Sequence, residues 1–275
     1  ASDSSIAHKR KIILVTDAEE NQVNLRRMID RFSSLFAEQP EVVNLHQIDI
    51  KGSCLGCIRC GYDNHCVYTG RDGFIEMYNR LKTADILIFA GAIHDRYLSS
   101  LWKTFFDRAF FNTHMPSFAG KQLAFLLSGP LRQLPNLRQI LEAYAEHQKA
   151  NLAGIVTDEK NESCETDSAL QELAIRSLDY AECNYQKPKT FLGVGGIKIF
   201  RDEIWGPLRF PFVADHQYYK QHGVYDFPHH DYVSRMRNIF LGVMAKFPAV
   251  RKELYGPKMT EYMIRDYIRF NEKGC

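Results

Sequence analysis

The chain has 275 residues, of which 45% are hydrophobic and 25% charged, and a formal net charge of +2. That balance fits one large globular domain, or a domain with an appendage, and excludes a disordered or low-complexity chain. So small a net charge argues against a nucleic-acid partner, and no apolar run reaches the roughly 20 residues that span a bilayer, so no membrane partner is expected.

The opening ASDSSIAHKRKIILVTD has no apolar stretch of signal-peptide length before its first strand, so a cytoplasmic location is expected. KIILVT (11–16) is a β-branched apolar run of the kind buried on both faces of a parallel sheet. Residues 21–36 then carry apolar side chains at helical spacing, and EVVNLHQI (41–48) reads as the second strand. A helix over 73–84 and a strand over 85–93 follow, then a helix with a heavy aromatic face over 99–111. KQLAFLLSG (121–129) is the fourth strand, 134–148 a helix, NLAGIVT (151–157) the fifth strand and 167–185 a helix. Strand and helix alternating at this period imply right-handed crossovers and helices on both faces of the sheet. The expected fold class is therefore α/β: a flavodoxin-like, doubly wound, five-stranded parallel sheet whose ligand site lies at the carboxyl ends of the strands.

Beyond residue 186 the pattern changes to aromatics, glycine and proline without a steady period, followed by helix-like segments at 231–247 and 257–272. The expected division is a sheet domain over 1–186 with a cysteine-cluster insertion, and a C-terminal aromatic-rich helical extension over 187–275 serving as a lid or an oligomer interface. GVGG (193–196) lacks the glycine spacing and the strand–turn–helix setting of a dinucleotide fingerprint. The stretch 214–232 gathers His216, His222, His229, His230 and Asp231, but no pair has the helical spacing of a zinc site, and a half-buried seam explains them better.

The densest chemistry lies in CLGCIRCGYDNHC (54–66), which holds four of the seven cysteines. Reduced cytosolic thiols crowded in this way are more often metal-binding or catalytic than cross-linked. Cys54, Cys57, Cys60 and Cys66, spaced C-x2-C-x2-C-x5-C, can wrap one compact corner, as thiolates around an iron–sulfur centre do. Zinc usually draws two well-separated pairs, although zinc or unligated thiols remain alternatives. Cys164, Cys183 and Cys275 are scattered and suggest no role.

The run from IDIKGSCLGCIRC to WKTFFDR resembles the iron–sulfur flavoproteins of the NADPH-dependent FMN reductase group. It keeps Asp72 at a helix start, Ala84-Asp85 before the third strand, and Ser99, Lys103, Phe105, Asp107 and Arg108 in the following helix. The resemblance covers roughly residues 11 to 158 and implies a 4Fe–4S cluster on the four clustered cysteines beside an FMN. It places FMN contacts at Thr16, Asn21 and Asn24, at Gly91, Ala92, Ile93, His94 and Ser99, and at Ser128 and Gly129. His94, Arg96 and Tyr97 are the candidate catalytic residues, supplying a proton donor, a positive charge and a stacking surface. One departure is that Asp17, Glu19 and Glu20 stand where the flavin phosphate would dock.

The function expected on this basis is electron transfer between a 4Fe–4S cluster, FMN and a small acceptor or a ferredoxin-like partner, in a homo-oligomer. The alternatives are an NAD(P)H-dependent FMN or quinone reductase without a cluster, or a non-catalytic electron carrier or sensor.

Overall fold

The computed structural model describes residues 5–159, 162–226, 232–256 and 259–265. Five parallel strands, β1 (Ile12–Thr16), β2 (Glu41–Asn44), β3 (Ile86–Ala92), β4 (Gln122–Ser128) and β5 (Asn151–Thr157), form one sheet in the order β2-β1-β3-β4-β5. This is the flavodoxin-like winding, with its reversal of strand order at β1 and β3. Burial along the strands explains the sequence pattern. β1 is buried at every position and β3 and β4 at all but their last, whereas the outermost strands β2 and β5 are only partly buried.

The helices are α1 (Val23–Ser34), α2 (Cys60–Asp63), α3 (Phe74–Leu81), α4 (Ser100–Ala109), α5 (Pro135–His147), α6 (Ser163–Glu182), α7 (Phe191–Trp205), α8 (Val213–Gln221), α9 (Tyr232–Met244) and α10 (Pro248–Leu254). Residues 259–265 are also helical, while His229, His230, Asp231 and most of the helix expected at 257–272 lie outside the described residues. The second strand is shorter than its sequence suggests. The Asn44 side chain accepts from the His46 N–H and turns Leu45–Gln47 into a 3-10 segment.

Contacts divide the chain into two compact units: residues 1–51, 72–106 and 116–193 in the first, and 52–71, 107–115 and 194–275 in the second. The cysteine loop thus groups with the C-terminal segment, not with the sheet as the 1–186 and 187–275 division had it.

In the first unit, α1 buries Leu25, Met28, Ile29 and Phe32 on one stripe. That stripe belongs to a core shared with β1, β3 and α6, each large side chain contributing roughly 1.5–3 kcal/mol. The opposite face is aromatic. Phe89 of β3 sits 5.2 Å from Trp102 and 5.4 Å from Phe105, ring centre to ring centre, and Phe105 meets Phe74 at 5.8 Å. At the amino end of the sheet, buried Asn151 donates to the Gln122 side chain at 2.6 Å, and Gln122 donates to the Tyr185 carbonyl at 3.1 Å.

Helix α7 runs through GVGG, where the sequence shows no helical period. Its start is capped: the Thr190 N–H and hydroxyl donate to the Glu146 carboxylate at 2.6 and 2.7 Å, and the Gly193 N–H donates to Thr190 Oγ1. A Cβ on Gly193 would lie 2.4 Å from that carboxylate, so glycine is what allows the approach.

In the second unit, Asp215 of α8 is fully buried. Its carboxylate accepts from the Thr113 hydroxyl at 2.6 Å, the His114 N–H at 3.1 Å and His114 Nδ1 at 2.8 Å. The His114 ring lies 4.5 Å from Phe200 and 4.8 Å from Phe212. His216 faces the Tyr225 hydroxyl at 2.8 Å, and burial, reinforced by nearby Arg209, lowers its pKa to about 4.

Because an unfolded histidine titrates near 6.5, the unfolded chain holds the extra proton between that value and about 4. Stability from this group is complete above pH 6.5 and declines as the pH falls through that window. His216→Gln should flatten this part of the profile, as read from urea midpoints taken across it; an unchanged slope would show that His216 is not the titrating group.

Candidate functional site at the strand ends

Asp17 follows the last residue of β1 and is almost fully buried. Its carboxylate accepts the indole N–H of Trp102 at 3.0 Å and the Ser99 hydroxyl, while the Trp102 backbone N–H donates to Ser99 Oγ at 3.2 Å. Burial raises the Asp17 pKa, and the bonds from Ser99 and Trp102 oppose that rise. Ser99, expected at the flavin, is thus the N-cap of α4 and has both roles of its hydroxyl engaged.

The remainder of the β1–α1 turn is pinned from three sides. Thr16 Oγ1 accepts from the Ala18 N–H at 3.0 Å; Asn44 donates to the Ala18 carbonyl at 3.0 Å; and His46 Nε2 lies 3.1 Å from the Asp17 carbonyl and 3.5 Å from the Glu19 carboxylate. Of the three acidic residues expected to oppose a phosphate, Asp17 is turned inward and Glu19 is paired with His46. At the start of α1, the N–H groups of Asn24 and Leu25 have no hydrogen-bond partner among the described residues.

β3 ends in a tight turn, with His94 N donating to the Tyr97 carbonyl at 2.8 Å, Tyr97 N to the His94 carbonyl at 3.0 Å, and Asp95 at φ +54°. This turn gathers His94, Arg96 and Tyr97, with His94 and Arg96 exposed. Gln22 joins it to the first turn. Its Oε1 accepts from the Glu19 N–H at 3.1 Å, which orients the amide so that Nε2 faces His94 Nε2 at 3.3 Å. In the neutral ring that arrangement makes Nε2 the acceptor and leaves the proton on Nδ1.

Several expected flavin contacts are otherwise engaged. The Ile93 N–H donates to the Ser128 carbonyl at 2.8 Å, and Asp158 accepts from the Ser128 hydroxyl at 2.6 Å and from the Gly129 N–H at 2.7 Å. A Cβ on Gly91 would meet Trp102 Nε1 at 2.6 Å, so this glycine makes room for the indole. Ala92 is the last residue of β3. The sequence reading missed Asp17, Trp102, Gln22, His46 and Asp158. A single carboxylate directly after a buried strand was the available signal, and it was read as an opposing charge.

The four clustered cysteines of the second unit line one cavity of about 30 Å³, enough for a water or two, together with Tyr68, Arg108, Phe110 and Phe111. The Arg108 guanidinium stacks 4.1 Å from the Tyr68 ring centre and donates to the Gly52 carbonyl at 2.8 Å. Burial, with the other three thiols adding to it, pushes the Cys60 pKa up to about 12, and burial also raises that of Cys54. Among the described residues, no three His, Cys, Asp or Glu side chains are grouped as a single-ion site requires. The four line one cavity, but as folded they do not form a closed metal site.

Residues 11–159 match the family model described as NADPH-dependent FMN reductase. The chain belongs to this family. As a member, it is a flavin-dependent oxidoreductase and FMN is its flavin. Among solved structures it is similar to RosB crystallised with 8-demethyl-8-formylriboflavin-5'-phosphate, with a TM-score of 0.52 at 12% identity, covering 71% of this chain and 88% of RosB. It also aligns with the apo form of the NADH:FMN oxidoreductase EMOB (TM-score 0.44, 16% identity, 66% of this chain and 92% of that one). Flavodoxin 1 from Bacillus cereus gives 0.42 at 13% identity, over 62% of this chain and 98% of its own. At these identities the likeness concerns the fold alone. No curated protein matches the chain. The comparisons speak for the flavin and carry nothing for an iron–sulfur cluster.

The contact between Gly91 and Trp102 is a direct check on the site. Gly91→Ala should displace the indole from Asp17 and lower stability by about 1–3 kcal/mol. Combining it with Trp102→Phe should cost less than the two single losses added together, because both act on one contact. Strict additivity in thermal or urea unfolding would contradict the coupling.

Proposed function

We propose that the protein is an NAD(P)H-dependent flavin or quinone reductase that works at the reversal between β1 and β3. The observation that carries this reading is the β1–α1 turn, where two of three carboxylates are engaged away from the helix start and two backbone N–H groups remain open. The Asn24 and Leu25 N–H groups, at the positive end of the α1 dipole, would hold the FMN phosphate, with Thr16 and Asn21 alongside. The β3 turn would meet the ring edge. Its open donors are the Asp95 and Arg96 N–H groups, which have no partner among the described residues, in place of those expected at Gly91–Ile93.

Bound FMN supplies hydride acceptance from NAD(P)H and delivery of electrons to a small acceptor. His94, held in one tautomer by Gln22, would donate a hydrogen bond from its Nδ1–H to the acceptor oxygen on which charge builds, the proton itself coming from solvent. Arg96 would add positive charge beside the ring, and Tyr97 would offer a face for stacking. The purified protein should take up FMN and oxidise NAD(P)H when a quinone is present. His94→Ala should lower quinone turnover about a hundredfold while FMN stays bound. Failure to take up FMN or to oxidise NAD(P)H would overturn the reading, whereas full turnover in the His94 variant would remove only the hydrogen-bond role of that side chain.

A second reading is favoured by the four sulfurs around one cavity: a 4Fe–4S cluster on Cys54, Cys57, Cys60 and Cys66, served by a ferredoxin-like donor. Each thiolate in such a cluster binds a different iron, so the set need not gather as around a single ion. The cavity is small, and loading would require the loop to open. Anaerobic purification should then yield iron with acid-labile sulfide, lost in Cys57→Ser. Iron-free protein, or iron content unchanged by that substitution, would end this reading.

A further inference from the structure

Helix α9 is apolar on two opposite sides. Asn238, Leu241 and Ala245 face the interior, where Ala245 and Leu241 pack with Phe210, Tyr255 and Met259. The Asn238 amide donates to the Gly206 carbonyl at 2.9 Å and accepts from the Phe210 N–H at 3.3 Å. About half a turn around the axis, at steps of three and four residues, runs a second stripe. It consists of Val233, Met236, Phe240, Val243 and, just past the helix end, Phe247, which are 83%, 66%, 64%, 51% and 58% exposed. Soluble monomers rarely leave so contiguous a line of large apolar side chains in water.

The charges beside the stripe indicate what covers it. At 100° per residue, Arg235 and Arg237 fall on its two flanks, Arg237 exposed and Arg235 half-buried with its guanidinium 4.9 Å from the Trp205 ring centre, and the helix contains no Asp or Glu. Lys246, Arg251 and Lys252 follow within the next eight residues, against the single acid Glu253 beside them. A second copy docking on the same stripe about a two-fold axis would bring arginines toward arginines with no carboxylate in either helix to answer them. An anionic lipid surface answers both features, because its acyl boundary takes the apolar line and its phosphates take the flanking cations.

We propose that the outward face of α9 is a docking surface for an anionic bilayer, with the helix lying in the plane of the headgroups. No helix among the described residues is long and apolar enough to cross a membrane, so the contact is with one leaflet. This differs from the sequence reading, which tested only for a spanning run and expected no membrane partner. The inference is independent of the redox reading, since it uses neither the strand ends nor the cysteines.

The test is co-sedimentation of the full chain with phosphatidylcholine vesicles, with and without phosphatidylglycerol. Binding should require phosphatidylglycerol and weaken with salt. Met236→Gln combined with Phe240→Gln should reduce it about tenfold or more, with an unchanged circular dichroism spectrum because both side chains face out. Arg237→Gln should reduce it about fivefold. No sedimentation with anionic vesicles, or equal binding by the double variant, would overturn the proposal. So would a double variant that loses self-association while its vesicle binding persists, since that result assigns the stripe to a second copy.

Discussion

The strand-end architecture depends on a buried carboxylate. Asp17 carries the only acid next to the carboxyl end of β1 that points inward, and it is answered by the Ser99 hydroxyl and the Trp102 indole. A carboxylate removed from water is costly unless its oxygens are satisfied, so these donors are needed for the turn to exist in this form. The same bonds tie the exit of β1 to the first turn of α4, the helix that follows β3. Trp102 can reach Asp17 only because residue 91 is glycine, and Ser99 can cap α4 only from the position that Asp17 holds. Three residue choices from separate parts of the chain are therefore mutually conditional.

That arrangement also resolves an apparent conflict in the sequence. A phosphate cradle with three acids seems electrostatically wrong if the side chains are imagined around the helix start. The folded turn spends one of them as an internal acceptor and pairs another with His46, so the open N–H groups of α1 keep their favourable dipole. The open donors of the β3 turn lie two to three residues later than the sequence suggested, because Ile93 is engaged with Ser128 across the sheet.

The sheet was legible because its signals are local. Continuous apolar runs in β1, β3 and β4 follow directly from burial on both faces of the sheet. The region beyond residue 186 was not, because α7 forms against its local propensity. Its glycines are weak helix formers, and the helix is started instead by Thr190 and by the carboxylate of Glu146, more than forty residues away in sequence. The candidate site was half legible for a related reason. Position after a strand is written in the sequence, as for His94 to Tyr97, but the partner that occupies a donor is not. Asp158 claiming Ser128 and Gly129 is a contact across about thirty residues. The cysteine motif placed four thiols in one loop, but their spacing in sequence does not write how they are arranged once folded.

The chain contains only two tryptophans, Trp102 and Trp205, and the fold gives one to each compact unit. Trp102 is locked against a carboxylate in a ring-lined interior, whereas Trp205 lies beneath the Arg235 guanidinium at 4.9 Å and beside Tyr225. Each unit therefore carries its own optical label, with an emission colour set by different surroundings. Silencing one indole at a time would let fluorescence report whether heat or denaturant melts the two halves in one step or in sequence, without attaching any foreign dye.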